Sequence, residues 1–257
     1  MFFGERAMKL RWTHFLPIVV FAASLIGISC AGAGGDGTIG GGTTGDGPLG
    51  CPLDAFSPNY LEEVDPSTGD LNGVHWWDHF PIRVFFASHP NLQGLNLSDV
   101  AMAGFNAWSE VSGITMATEV GSESQADLVV TFENIQNEPG SGDVLGQTSW
   151  TYSPSTFETF SAEMTLRTWT GMTADEVANG FRRTAQHEFG HAIFLSGHSP
   201  FSQDTMYPFG PTSVYTALTE RDKNSLASAY CGSFGNRVRS RAPVEVVLTR
   251  TMSSYKK

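Results

Sequence analysis

Three histidines and a glutamate fall within the stretch HEFGHAIFLSGH, residues 187–198 of a 257-residue chain. At 3.6 residues per helical turn, His187 and His191 share a face, so both imidazoles can point at one cation. Glu188 follows the first of them and can reach a water beside that cation without binding the cation itself. The chemistry of such a set is hydrolysis. Zinc lowers the pKa of a water towards about 7, and the carboxylate takes its proton as the water attacks a peptide carbonyl. The same carboxyl then hands the proton to the leaving amine.

His198 constrains what the chain does next. If the helix ran on, His198 would lie about 10 Å further along the axis than His191, beyond reach of a shared ion. The helix must therefore stop and the chain turn back. Ser196-Gly197 is the expected stop, because glycine adopts a left-handed conformation cheaply. Phe194 then becomes a core residue on a slightly longer helix, or part of a bulged loop. The alternative third ligand is Glu220, 29 residues beyond His191.

The elements that hold these residues show in the periodicity. Ile82 to Ala87 (IRVFFA) and Asp127 to Phe132 (DLVVTF) predict buried strands, Ile114 to Val120 alternates, and Val144 to Trp150 predicts an edge strand. Ala162 to Thr168 adds one more. Ser98 is the expected cap of a helix that ends at Gly113. Thr173 and Glu176 form a capping box that opens the long helix bearing HEFGH, and Thr219 with Asp222 starts a final helix ending near Tyr230. Strands first and helices after predict an α+β domain. The rings of Trp76, Trp77, Phe85, Phe86, Trp108, Trp150 and Trp169 are expected to pack in the core, with a few at the surface. His75, Asp78 and His79, in HWWDH, are weighed as a second metal site against an ordinary loop.

Charge is uneven. Residues 51–232 carry 22 acidic and 6 basic side chains, whereas residues 233–257 carry six basic ones against Glu245. An acidic body lacks the basic footprint that nucleic acid needs and argues against that partner. Lys9 and Arg11 precede a 14-residue apolar run, Phe15 to Ile28, too short for a bilayer span and suited to a secretory signal over residues 1–30. Either Ser29-Cys30 is a lipoprotein-type cleavage site, with Cys30 lipidated as a membrane tether, or Ala31 to Ala33 (AGA) is an ordinary export site. Both readings predict an exported chain. Residues 31–50 are Gly-rich and predict a flexible tether. A domain at 51–232 follows, then a basic tail at 233–257, expected to be disordered or to contact anionic lipid or the acidic body. Cys51 and Cys231 bracket the domain, and export permits a disulfide between them.

HEFGH, then GHS, then DTMYP at 204–208 resemble the metzincin zinc proteases, specifically the matrixin branch, over roughly residues 75–231. The resemblance implies a zincin domain with a twisted mixed sheet, a long active-site helix and a C-terminal helix. It implies His187, His191 and His198 as ligands of one catalytic zinc, Glu188 as general base and Met206 as the methionine of the Met-turn beneath the metal. Substrate would lie extended along the strand at Val144 to Trp150, and Tyr207 to Thr216 would shape a side-chain pocket. Cys51 could alternatively supply a zinc-blocking thiolate, as in the cysteine switch of secreted matrix proteases. No ligand pattern supports calcium. The implied function is an exported zinc endopeptidase, monomeric, acting on proteins or peptides; the alternative is an inactive zinc-binding or protein-binding module on the same fold.

Overall fold

The computed structural model describes residues 49–140, 142–210, 214–234 and 248–256. The signal segment, Cys30 and the tether as far as residue 48 lie outside them. In the strand β1, Ile82–Phe86, the residues Ile82, Val84 and Phe86 face inward. A short hairpin, β2 (Asn91–Leu92) and β3 (Leu95–Asn96), leads into helix α1, Leu97–Phe105. Its N-cap is Asn96 rather than Ser98: the Asn96 side chain accepts from Ser98 N and Asp99 N, while the Ser98 hydroxyl pairs with His89. Both residue types cap helices well, and the hairpin register puts Asn96 first. Gly113, left-handed, closes the next helix, α2 (Ser109–Ser112).

β4 (Ala117–Glu119), β1, β5 (Leu128–Ile135) and β7 (Thr159–Trp169) run parallel, in that spatial order. β6, Val144–Tyr152, is antiparallel to β7. A capping box between Thr173 and Glu176 and a wide π-type turn, Glu176–Phe181, open helix α3, Arg182–Ile193. α3 lies over β6 and α1, with Phe105 stacked on Phe189 at 4.7 Å between ring centroids. Trp76, Trp77, Trp108, Trp150 and Trp169 are all buried. Helix α4, Glu220–Ala229, follows the segment β8, Phe209–Gly210. The result is a metzincin-type α+β fold. Among the described residues no helix is long and apolar enough to cross a membrane.

The sheet departs from expectation at its edge. β6 is not the edge strand, because residues 248–256 of the tail form β9, Leu248–Lys256, paired antiparallel along it. β8 pairs in parallel with the far end of β9. This part of the tail is therefore an ordered strand of the sheet rather than a disordered extension.

One buried charge cluster ties the sheet to the preceding loop. Asp127 accepts Arg83 Nε at 2.9 Å and Nη2 at 2.6 Å, the Arg83 backbone N–H at 2.8 Å and His79 Nε2 at 2.9 Å. Burial pushes its carboxyl up, but the bonds from His79 and Arg83 outweigh burial and hold it well below the ordinary carboxylate range. A depressed folded pKa contributes stability that is complete above the unfolded value near 4 and is lost as pH falls through the folded one. Asp127→Asn is expected to cost about 2 kcal/mol at pH 7, discounted for the half-exposed Arg83. Urea titrations should show that difference shrinking steadily below about pH 4.

Candidate metal centre

α3 carries His187, Glu188 and His191 on its inward face, each fully buried. The helix stops at Ile193, and Phe194 leaves it with φ −157° and ψ −30°, neither helical nor extended. Gly197 is not left-handed, so the expected glycine stop is not what turns the chain. Segment 72–75 does it instead. His75 N donates to Phe194 O at 3.0 Å, Leu195 bridges to Val74, and Ser196 N donates to Gly73 O at 2.9 Å. The carbonyls freed at the helix end find partners in the same passing segment, where His191 O meets His75 Nε2, Ala192 O accepts Trp77 Nε1 and Phe194 O accepts His75 N, which removes the need for a left-handed residue. Gly197 matters for space: a Cβ there would overlap the Asn72 amide, whose Nδ2 donates to His198 O. Phe194 is a core residue just past the helix, edge-on to Trp108.

The turn delivers His198 to the other two histidines. One ring nitrogen from each lies within 4.8 Å of the others, and among the described residues this is the one such group of His, Cys, Asp or Glu. His191 Nε2 is 3.1 Å from His187 Nε2 and 3.3 Å from His198 Nε2. On the far side of each ring, Nδ1 meets an acceptor: Thr205 O for His187 at 2.7 Å, Leu195 O for His191 at 2.9 Å, and the Asp65 carboxylate for His198 at 3.1 Å. Those partners place the proton on Nδ1 and leave three Nε2 lone pairs facing one another. Burial, then the neighbouring histidines, push His187 and His191 well below the usual imidazole range, which keeps them neutral. Converging lone pairs repel unless a cation lies between them. Zinc–nitrogen bonds of 2.0–2.1 Å at a tetrahedral ion put neighbouring nitrogens about 3.3 Å apart, close to the spacing seen. The donor set therefore fits zinc.

Glu188 stands beside this cluster. Its Oε2 accepts the Thr148 hydroxyl at 2.8 Å and its Oε1 accepts the Ser254 backbone N–H at 3.0 Å. Burial raises its carboxyl to about 7 against those two hydrogen bonds. Met206 is buried against α3 at Gly190, where a Cβ would overlap its sulfur, and its carbonyl accepts from Ser199 N at 2.9 Å.

Other candidates fall away. Glu220 is exposed at the start of α4 and pairs with Lys223, so it is no third ligand. His75 is spent on Thr159 and His191 O, and His79 on Asp78 and Asp127, so HWWDH builds no metal site. Cys51 is bonded to Cys231 in a disulfide and offers no thiolate.

Sequence reasoning missed Asp65. It is buried in the loop DPSTG, where Ser67 N and Ser67 Oγ both donate to its Oδ1, and it orients a histidine 133 residues away. Burial raises this carboxyl, and the bonds from His198 and Ser67 more than reverse that. The Asp-x-Ser turn is visible in the sequence, but nothing in it points to His198. Asp65→Ala is expected to weaken zinc binding about 10–100-fold with the fold retained, as measured by competition with a chromophoric chelator.

Two histidines on one helix and a third brought to them across a turn, on this α+β fold, make a metzincin-type centre. The matrixin family model matches residues 79–231, more than half of the chain, and the chain belongs to the matrixin family, a family of zinc metalloproteases. A search of curated proteins finds no match.

Proposed function

We propose that this matrixin is an exported zinc-dependent endopeptidase in which His187, His191 and His198 hold the metal and Glu188 is the general base. The observation that carries the reading is the position of Glu188: a buried carboxylate, beside the imidazoles rather than among them, receiving the N–H of an extended peptide. Zinc held there would supply Lewis-acid chemistry, polarising a carbonyl and acidifying a water. The chain's own residues do the rest. β6 aligns an extended peptide by main-chain hydrogen bonds, as β9 does in this structure. Thr148 fixes one oxygen of Glu188, leaving the other to take a proton from water and deliver it to the amide nitrogen. Export is supported by the disulfide, a bond that persists in oxidising compartments, and by the apolar run Phe15 to Ile28.

The test is cleavage of casein and of a diverse peptide pool by the zinc-loaded chain and by its Ser254→Pro variant, which lacks the N–H that β9 gives to Glu188. Cleavage that a chelator stops and zinc restores supports the endopeptidase. Zinc bound at one equivalent, with no cleavage by either protein, would leave an inactive zinc-binding module.

A further inference from the structure

The cleft beside the metal centre is filled by the chain itself. β9 lies along β6 with Met252 opposite Thr148, Ser253 opposite Gln147 and Ser254 opposite Gly146. Its other edge is held just past the Met-turn, where Tyr255 and Lys256 pair with Phe209 and Gly210 and Tyr255 N donates to Pro208 O at 2.8 Å. Lys256 N donates to Asp143 O and accepts, through its carbonyl, from Gly142 N, both at 2.8 Å. Lys256 Nζ also reaches Glu138 on the acidic body.

Between these grips, one peptide bond sits at the candidate centre. The Ser253 carbonyl oxygen is 3.1 Å from His198 Nε2, and the Ser254 N–H donates to Glu188. A strand that only completes a sheet needs ladder bonds to β6. It does not need a carbonyl aimed at imidazole lone pairs, nor the adjoining amide aimed at a buried carboxylate. Ser253 O and His198 Nε2, two atoms that repel as bare acceptors, need a proton or a metal cation between them. The small side chains of Ser253 and Ser254, both buried, let the backbone come this close.

We propose that the Ser253–Ser254 peptide bond is a processing site, at which the chain cuts its own C-terminal strand, and that the uncut strand excludes other peptides from the groove. This rests on the endopeptidase reading above. One water is consumed. Its oxygen bonds to the Ser253 carbonyl carbon, the bond from that carbon to Ser254 N breaks, and Glu188 carries the water's proton to the departing nitrogen. The products are a chain ending in the Ser253 carboxylate and the peptide 254–257, SYKK. The contacts of Tyr255 and Lys256 leave with that peptide, so the stretch 248–253 loses its hold on Pro208, Phe209, Gly210 and Asp143. The same geometry states a substrate class: an extended peptide with small residues on both sides of the cut and an aromatic residue two positions after it, where Tyr255 meets the ring of Phe209.

Two measurements on the full chain test this. The first is amide hydrogen exchange, read by mass spectrometry on the metal-free protein. Residues 248–256 should exchange about 100-fold more slowly in wild type than in Ser254→Pro, with α3 equally protected in both as the check that the variant is folded. Unprotected exchange of 248–256 in wild type overturns the occupied groove outright. The second is intact mass after adding one equivalent of zinc. Wild type should lose residues 254–257 at a rate independent of its concentration, while Ser254→Pro and Glu188→Gln keep them. If wild type keeps its C-terminus while Ser254→Pro cuts casein, the processing site falls and the endopeptidase stands. If zinc binds and no protein cuts either casein or the tail, the endopeptidase reading is what has failed, and self-processing falls with it.

Discussion

Glu188→Gln is expected to keep its zinc and to hydrolyse casein about 1,000-fold more slowly than wild type, within the range that a positioned acid–base group contributes. The two side chains have the same shape, and the amide oxygen can still accept one of the two hydrogen bonds that Thr148 and Ser254 offer. What is lost is the capacity to take a proton. Because the residue lies beside the three imidazoles and not among the converging nitrogens, metal content should be unchanged, and elemental analysis of both proteins checks that. Compared in chains ending at Ser253, whose groove is open, the loss should fall on kcat and kcat/KM alike, since proton transfer is made only on the way to the transition state. A variant that loses activity together with its zinc would mean that Glu188 supports the metal site. A variant that cuts at the wild-type rate would mean that another group accepts the proton.

The parts of this fold that the sequence made legible are those governed by neighbours in the chain. The capping pairs Thr173–Glu176 and Thr219–Asp222 sit where the residue pattern places them, because a cap is decided within four residues. The face shared by His187 and His191 follows from helical period alone. What was not legible depends on partners far along the chain. Nothing within LTRTMSSYK says that it pairs with a strand about a hundred residues earlier. Local alternation permits a strand but does not choose its neighbour. The end of the helix looks, from the sequence, like a local matter for Ser196-Gly197, whereas the structure ends it at Ile193 with help from residues 72–75, more than a hundred positions upstream. Asp65 is the same case at the metal centre: a recognisable turn whose use lies in its contact with His198.

The largest stability effect away from the imidazoles is expected at Asp222, for it links the last helix to the Met-turn. It belongs to the capping box of α4, yet its carboxylate does more than cap. Oδ2 accepts Thr205 N and Thr219 N, each at 2.9 Å, and the Thr219 hydroxyl, while Oδ1 accepts the Tyr60 hydroxyl at 2.9 Å. Asp222, Tyr60 and Thr205 are fully buried and Thr219 partly so, so Asp222→Ala would strand the Tyr60 and Thr205 donors with no water to take them. Breaking such a buried charged network costs about 3–5 kcal/mol. At roughly 2–4 °C per kcal/mol for a domain of this size, the melting temperature should fall by about 10 °C. The damage should also reach the metal. Thr205 gives its N–H to Asp222 and its carbonyl to His187, so loosening that residue frees the ring that the carbonyl holds. Zinc affinity is therefore expected to fall with stability, about tenfold, the lower end for an indirect support of a ligand. Asp222→Asn should recover only part of each loss, because its NH2 group must face one of the two sets of donors. Calorimetry with and without zinc separates the effects. If Asp222→Ala melts lower yet gains as many degrees from zinc as wild type does, the aspartate stabilises the fold without positioning His187.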